Sequence, residues 1–313
     1  MDKKLLVVGT MAYDAIETPY HKTDRILGGA ATYIALAASK FKTRCGLVSV
    51  IGDDFEKADL EKLTDLGIDD SGVEQVAGGK TFFWSGRYHN DMNTRTTLET
   101  QLNVLEHFSP QVPEEFQSSE IVMIGNLHPG VQNSAIEQLD NTNRFIILDS
   151  MNFWMEHFRE ALDDVIQKVD LISINDEEAR LLTGEHSLSK AATQIHAMGP
   201  KYVIIKKGEH GAQLFGEGKV FVAPAYPIDQ VVDPTGAGDS FAGGLSGFLA
   251  QADEINFETL KQALVIGSVF ASFTVEALGV SAIENVNKEE LNERISQFRA
   301  LTHFEWNDNT FSI

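Results

Sequence analysis

Six short apolar runs, each ending in glycine or a polar residue, constrain this chain more than any other feature: KKLLVVG, RCGLVSVIG, SEIVMIGN, NRFIILDS, VDLISIND and KYVIIKKG. Runs of this kind read as buried strands, and each lies near a helical segment. GGAATYIALAASKF is a small-residue helix from about Gly29 to Lys40, and DDFEKADLEKLTDLG an amphipathic one that stops at Gly67. Strand and helix in alternation predict an α/β fold: a central, mostly parallel sheet flanked by helices on both faces. Functional groups in such sheets collect where strands end and helices begin.

Two stretches break the alternation. AYDAIETPYHKTDRIL has turn residues in its middle, and KTFFWSGRYHNDMNTRTTLETQLNVL reads as two β-rich segments around NDMN. Together, over about 12–27 and 80–101, they are expected to form a small β-sheet lid on the rim that carries the site. The plainer alternative is a surface hairpin, but Phe82, Phe83, Trp84 and Tyr88 need something to cover. No repeat, low-complexity tract or linker divides residues 1–313, so a single domain is expected.

The segment VVDPTGAGDSFAGGLSGFLA, residues 231–250, is the most informative for chemistry. Phe241, Leu245, Phe248 and Leu249 fall on one face of a helix that begins near Gly238 or Asp239. Glycine inside a helix costs about 0.8–1.0 kcal/mol against alanine, so Gly243, Gly244 and Gly247 need a reason. Close packing against the sheet or a ligand would supply it. A helix start offers unpaired N–H groups and partial positive charge, and the glycines before it let an anion approach. Asp239 has a plain role as a cap; it also stands as a base beside an anion site, as phosphoryl transfer to an alcohol requires.

Other chemistries find no support. GGKT, Gly78–Thr81, looks like the end of a P-loop, but position 74 is Glu74 and an extended aromatic segment follows instead of a helix. GTMAYD after the first run lacks the dinucleotide glycine spacing, and no zinc spacing occurs. The single Cys45 excludes a disulfide framework or thiolate metal site, and His89, His128 and His210 read as surface or packing residues. A formal charge of −21 argues against nucleic acid and against an anionic membrane surface as partners. The N-terminal apolar run is too short for a signal peptide, and no run of about 18 apolar residues occurs, so a cytoplasmic protein is expected.

DPTGAGDSFAGG resembles the signature of the ribokinase-like (PfkB) carbohydrate and nucleoside kinases. GGAATYIALA resembles their double-glycine motif, INDEEARLL their Asn-x-x-Glu element, VIIKKGEHGA the strand-turn before the signature, and ASFTVEALGV their C-terminal nucleotide-side helix. The pieces occur in the family's order over nearly the whole chain. The resemblance implies a ribokinase-like domain with a small lid, and transfer of the ATP γ-phosphate to a hydroxyl of a small sugar or nucleoside. It implies Asp239 as base, with the amides of Gly236, Ala237 and Gly238 as the anion hole. Asn175 and Glu178 would place Mg²⁺ through waters; Lys206, Gly208, Gly211 and Thr235 would line the nucleotide. Asp14, Gly28, Gly29 and Tyr33 would line the acceptor, and Asp233 with Thr235 stands where some relatives organise a monovalent cation, here K⁺. A homodimer through the lid is also expected.

Each carry-over has a plainer counterpart. Asn175 and Glu178 are spaced as a capping box. Lys206 reads equally as a solvated strand end and Asp14 as a turn residue. Tyr33 stands where relatives commonly carry Asn, so acceptor recognition departs from the family pattern. Tyr33 and Tyr13, with Phe83 and Trp84, offer rings to stack on a base, which favours a ribonucleoside over a plain sugar or an inositol-type polyol. A catalytically silent nucleotide or sugar sensor on the same fold is the reading from another class; an intact Asp239 speaks against it.

Overall fold

A computed structural model describes residues 3–141, 143–303 and 305. The strands are β1 Lys4–Val8, β2 Ala12–Glu17, β3 Ile26–Gly28, β4 Arg44–Gly52, β5 Asp69–Val76, β6 Phe82–Tyr88, β7 Arg95–Gln101, β8 Ile121–Ile124, β9 Phe145–Leu148, β10 Leu171–Asn175, β11 Tyr202–Lys206, β12 Ala212–Gly216 and β13 Lys219–Ala223. Nine of them form one sheet in the order β13-β12-β11-β10-β9-β8-β1-β4-β5. Pairing is parallel from β11 to β5, and β12 and β13 close one edge as an antiparallel hairpin. All six apolar runs lie in this sheet. The pattern did not announce β5, whose sequence DDSGVEQV is largely polar, or the hairpin β12–β13.

Alternation along a buried strand divides the core between the two faces. In β1, Leu5 and Val7 face one cluster with the helices Ala30–Ala38, Ala237–Gln251 and Phe257–Thr274. Leu6 and Val8 face the other, with Arg159–Ile166, Asp176–Thr183 and Leu188–Met198. Gly243, Gly244 and Gly247 serve helix packing rather than the sheet or a ligand. A Cβ on Gly243 would lie 2.3 Å from the Ile34 carbonyl oxygen, so the helix Ala30–Ala38 comes closer than alanine allows.

The remaining strands form a second sheet in the order β3-β2-β6-β7, mixed in direction because β2 and β6 run parallel. It rises from the ends of β1 and of the β5–β6 connection, over the carboxyl rim of the large sheet. Directly paired residues share a face of a sheet. Asp14 pairs with Trp84, and Tyr88 pairs with Arg95, on the face that carries the site groups. Tyr13 pairs with Phe83 on the opposite face, which packs against the core. Among the described residues no helix is long and apolar enough to cross a membrane.

Candidate active site

The helix Ala237–Gln251 begins at Gly236, whose φ of 76° lies in the left-handed region where a side chain is strained. A Cβ there would also lie 2.4 Å from the Tyr33 ring, so this turn admits only glycine. Ala237 N donates a long bond of 3.3 Å to the Pro234 carbonyl, and Ser240 N closes the first helical turn on Gly236 O. The amides of Gly236, Gly238 and Asp239 make no bond among the described residues. Two of the three expected amides, Gly236 and Gly238, are thus free, Asp239 N is free beside them, and Ala237 N is spent on the turn. Free amides at a helix start that also carries the Asp239 carboxylate can take an anion next to a base.

Asp239 is partly buried. Burial first, and the neighbouring Asp149 carboxylate second, push its pKa up to about 7, against the opposing pull of Lys206 and Arg95. Lys206 ends β11, and its Nζ lies 3.2 Å from Asp149 Oδ1, just past the end of β9. Between them β10 ends in Asn175. Asn175 Oδ1 accepts from Glu178 N, and Glu178 Oε2 accepts from Asn175 N, each at 2.8 Å. The capping box is thus real and leaves Glu178 Oε1 without a bond among the described residues. Burial, then Asp149, raise Glu178 to about 7.

Asp14 is buried, and a Cβ on Gly28 would lie 2.0 Å from its Oδ2, so Gly28 makes room for it. Burial, then the charges of Asp233 and Asp239, push Asp14 up to about 8, while the Gly29 amide favours its charged form. Gly29 caps the helix Ala30–Ala38 with φ 92°. Tyr33 is 1 % exposed and its hydroxyl has no hydrogen-bond partner among the described residues; burial and then Asp14, Asp233 and Asp239 raise its pKa. Its ring underlies Gly236, so it supports the turn from beneath and offers no open face for stacking.

The aromatic residues separate in the same way. Tyr13 donates to Asp59 at 2.9 Å, accepts from Glu56 N at 2.8 Å, and carries the Arg25 guanidinium 3.6 Å above its ring. With Phe83 it belongs to the packed face of the lid and cannot stack on a base. Of the rings expected to stack on a base, Tyr13, Tyr33, Phe83 and Trp84, only Trp84 lies on the lid's site face, which it shares with Tyr88. Its indole covers Gly86, where a Cβ would lie 2.1 Å from Cη2, and its Nε1 bonds Thr97 Oγ1 at 3.3 Å.

Asp233 is 0 % exposed. Its carboxylate accepts from Thr235 N at 2.9 Å and Gly279 N at 3.0 Å, with no cationic side chain paired to it among the described residues; burial raises its pKa. Thr235 Oγ1 donates to Tyr88 Oη of the lid at 3.1 Å. Gly208 meets the lid tip, where a Cβ would lie 3.1 Å from Asn93 Oδ1. Gly211, at φ 83°, is required by the backbone of Ala223 and Pro224, which fills the space its Cβ would take. Asp149, Tyr88 and Arg95 are site neighbours that sequence reasoning did not assign. Asp149 carried the usable signal, since it ends a buried strand as Asn175 and Lys206 do.

The family model for pfkB family carbohydrate kinases matches residues 2–286. The chain is 32% identical over 251 residues to the cytidine kinase of Thermococcus kodakarensis, covering 78% of this chain and 88% of that one. It is 27% identical over 337 residues to the nucleoside kinase of Methanothermobacter thermautotrophicus, covering 97% and 98%. Among solved structures, the nucleoside kinase of Methanocaldococcus jannaschii superimposes with a TM-score of 0.76 at 22% identity, over 95% of this chain and 99% of that one.

Proposed function

The chain belongs to the pfkB family of carbohydrate kinases and is an ATP-dependent sugar or nucleoside kinase; from that premise we propose that its acceptor is a ribonucleoside and that Asp239 is the catalytic base. The observation that carries the mechanism is the helix start itself. Free amides at Gly236, Gly238 and Asp239 receive the phosphate chain, and the Asp239 carboxylate stands on the same turn. The acceptor hydroxyl oxygen attacks the γ-phosphorus and its proton passes to Asp239. The bond from that phosphorus to the β–γ bridging oxygen breaks, and its electron pair leaves with ADP. Positioning and charge stabilisation supply most of the acceleration.

Asn175 and the free oxygen of Glu178 suit a water-bridged Mg²⁺, which would neutralise phosphate charge. Asp233, fully buried with two amide donors and no cationic partner among the described residues, suits a monovalent cation such as K⁺, which would balance its charge. Lys206, Gly208 and Thr235 line the nucleotide side in this reading, and Asp14 takes sugar hydroxyls. The whole chain acts as one catalytic unit whose lid closes over the acceptor. The free edge of β7, exposed along its length and bearing Leu98, is the surface through which two lids would pair.

Trp84 favours a nucleoside. It lies on Asp14's face of the lid, paired in register with Asp14 itself, so a sugar held by Asp14 places a base within reach of the indole. The names of the relatives support the same class. The test is an acceptor panel with ATP and Mg²⁺: cytidine, adenosine, uridine, ribose, fructose and myo-inositol. A nucleoside is expected to exceed every base-free acceptor by at least ~10-fold in kcat/KM. A base-free acceptor at the head of the panel defeats the nucleoside reading.

A further inference from the structure

Lys206 reaches from the end of β11, across β10, to Asp149 beyond the end of β9, at 3.2 Å. On the way its ammonium touches the phosphate turn: a Cβ on Gly238 would lie 3.3 Å from Nζ. Both side chains are largely withdrawn from solvent, at 17% and 11% exposure. An ammonium set against a helix N-terminus is unfavourable by itself, because both are positive. It stays there only if an anion holds it, and Asp149 is the anion that does so. Asp149 is itself fixed from the backbone: its amide donates to Ile124 O and its carbonyl accepts from Gln132 Nε2.

We propose that Asp149 is a positioning residue for phosphoryl transfer, which holds the Lys206 ammonium against the Gly236–Asp239 turn so that it meets the phosphate oxygens there. The assignment rests on the kinase reading of that turn and adds to it a residue that acts only through another. Lys206 has Glu178 and Asp239 as further carboxylate neighbours. Without Asp149 the flexible four-carbon stem is free to swing toward either of them, and the charge leaves the place where the transferring group needs it. The ground-state binding of the acceptor, on the far side of the turn by Asp14, is untouched.

The experiment is a double-mutant cycle with Asp149→Asn, Lys206→Met and the pair, reading kcat and both KM values beside the thermal midpoint of each variant. Asp149→Asn is expected to lower kcat by roughly 10- to 100-fold with acceptor KM within about 3-fold of wild type. Lys206→Met is expected to lose at least as much, and the double variant no more than Lys206→Met alone, as befits a residue acting through another. Losses that multiply in the double variant, or an Asp149→Asn kcat within about 2-fold of wild type, overturn the proposal. If Asp149→Asn does not fold, Lys206→Met decides alone: kcat within about 2-fold of wild type overturns it. Asp239→Asn is measured in parallel. Activity retained there removes the base assignment, whereas the Asp149–Lys206 coupling is read from the cycle by itself.

Discussion

Asp239 and Gly236 place opposite demands on one turn, and substitutions separate them. Asp239→Asn keeps the shape and the free amides, so ATP affinity should hold while kcat falls by about 10²–10⁴-fold, checked by calorimetry and steady-state kinetics. A base must be ionised to act, and Asp239 is held up near 7, chiefly by burial and then by Asp149. The acid limb of kcat/KM is therefore expected near pH 7, with activity lost as pH falls below it; a limb near pH 4 would remove the raised carboxylate from the mechanism. Gly236→Ala meets two penalties, the left-handed φ of 76° and the Tyr33 ring 2.4 Å from the new carbon. It should cost on the order of 1–3 kcal/mol and most of the activity, measured by denaturant melts and turnover. Gly236 and Asp239 were legible because a helix start, a glycine turn and a carboxylate are all local signals. Asp149 was not assigned: its partner is 57 positions away, and only the strand order β9-β10-β11 brings the two together.

At the scale of elements, a side-chain bond joins the lid to the residue before the Gly236 turn, Thr235 Oγ1 to Tyr88 Oη at 3.1 Å. Arg95, across from Tyr88 in β7, lowers the pKa of both Asp239 and Glu178, so the lid also brings positive charge to the site. Tyr88→Phe keeps the ring and removes only the bond. It should lower kcat several-fold and loosen the lid, seen as faster hydrogen exchange over residues 82–101; unchanged exchange and kcat would show that ring packing alone matters. The strands of the lid were legible from β-rich runs around a turn, but their faces were not. FFWSGRY is apolar at adjacent positions, so periodicity could not say which ring points inward; register with Asp14 decides it for Trp84. The six core strands were legible because both faces are buried. The largely polar β5 carries no such pattern and owes its place to pairing with β4.

At the scale of the molecule, a chain of net charge −21 has concentrated unfavourable carboxylates in its site. Asp14, Asp233, Glu178 and Asp239 are all raised by burial, and the Lys206 ammonium beside them is paired with Asp149. Such groups lower stability in the absence of substrate, and the sign follows from linkage. Asp14 titrates in the unfolded chain near 4 and in the folded one near 8. Between those values the unfolded chain releases a proton that the folded one keeps, so the contribution to stability present at low pH is lost as pH rises through about 8. Asp14→Asn removes this dependence while an amide oxygen remains to meet Gly29 N. Its thermal midpoint should exceed that of wild type by a margin that grows from pH 5 to pH 8, equivalent to about a few kcal/mol of stability, and then levels off. Acceptor KM should rise sharply in the same variant, because the carboxylate that costs stability is the one proposed to take the sugar hydroxyls. A midpoint difference that is flat with pH, or that favours wild type at pH 8, would mean that Asp14 is ionised and paired in the folded protein, and that the site does not store its unfavourable charge there.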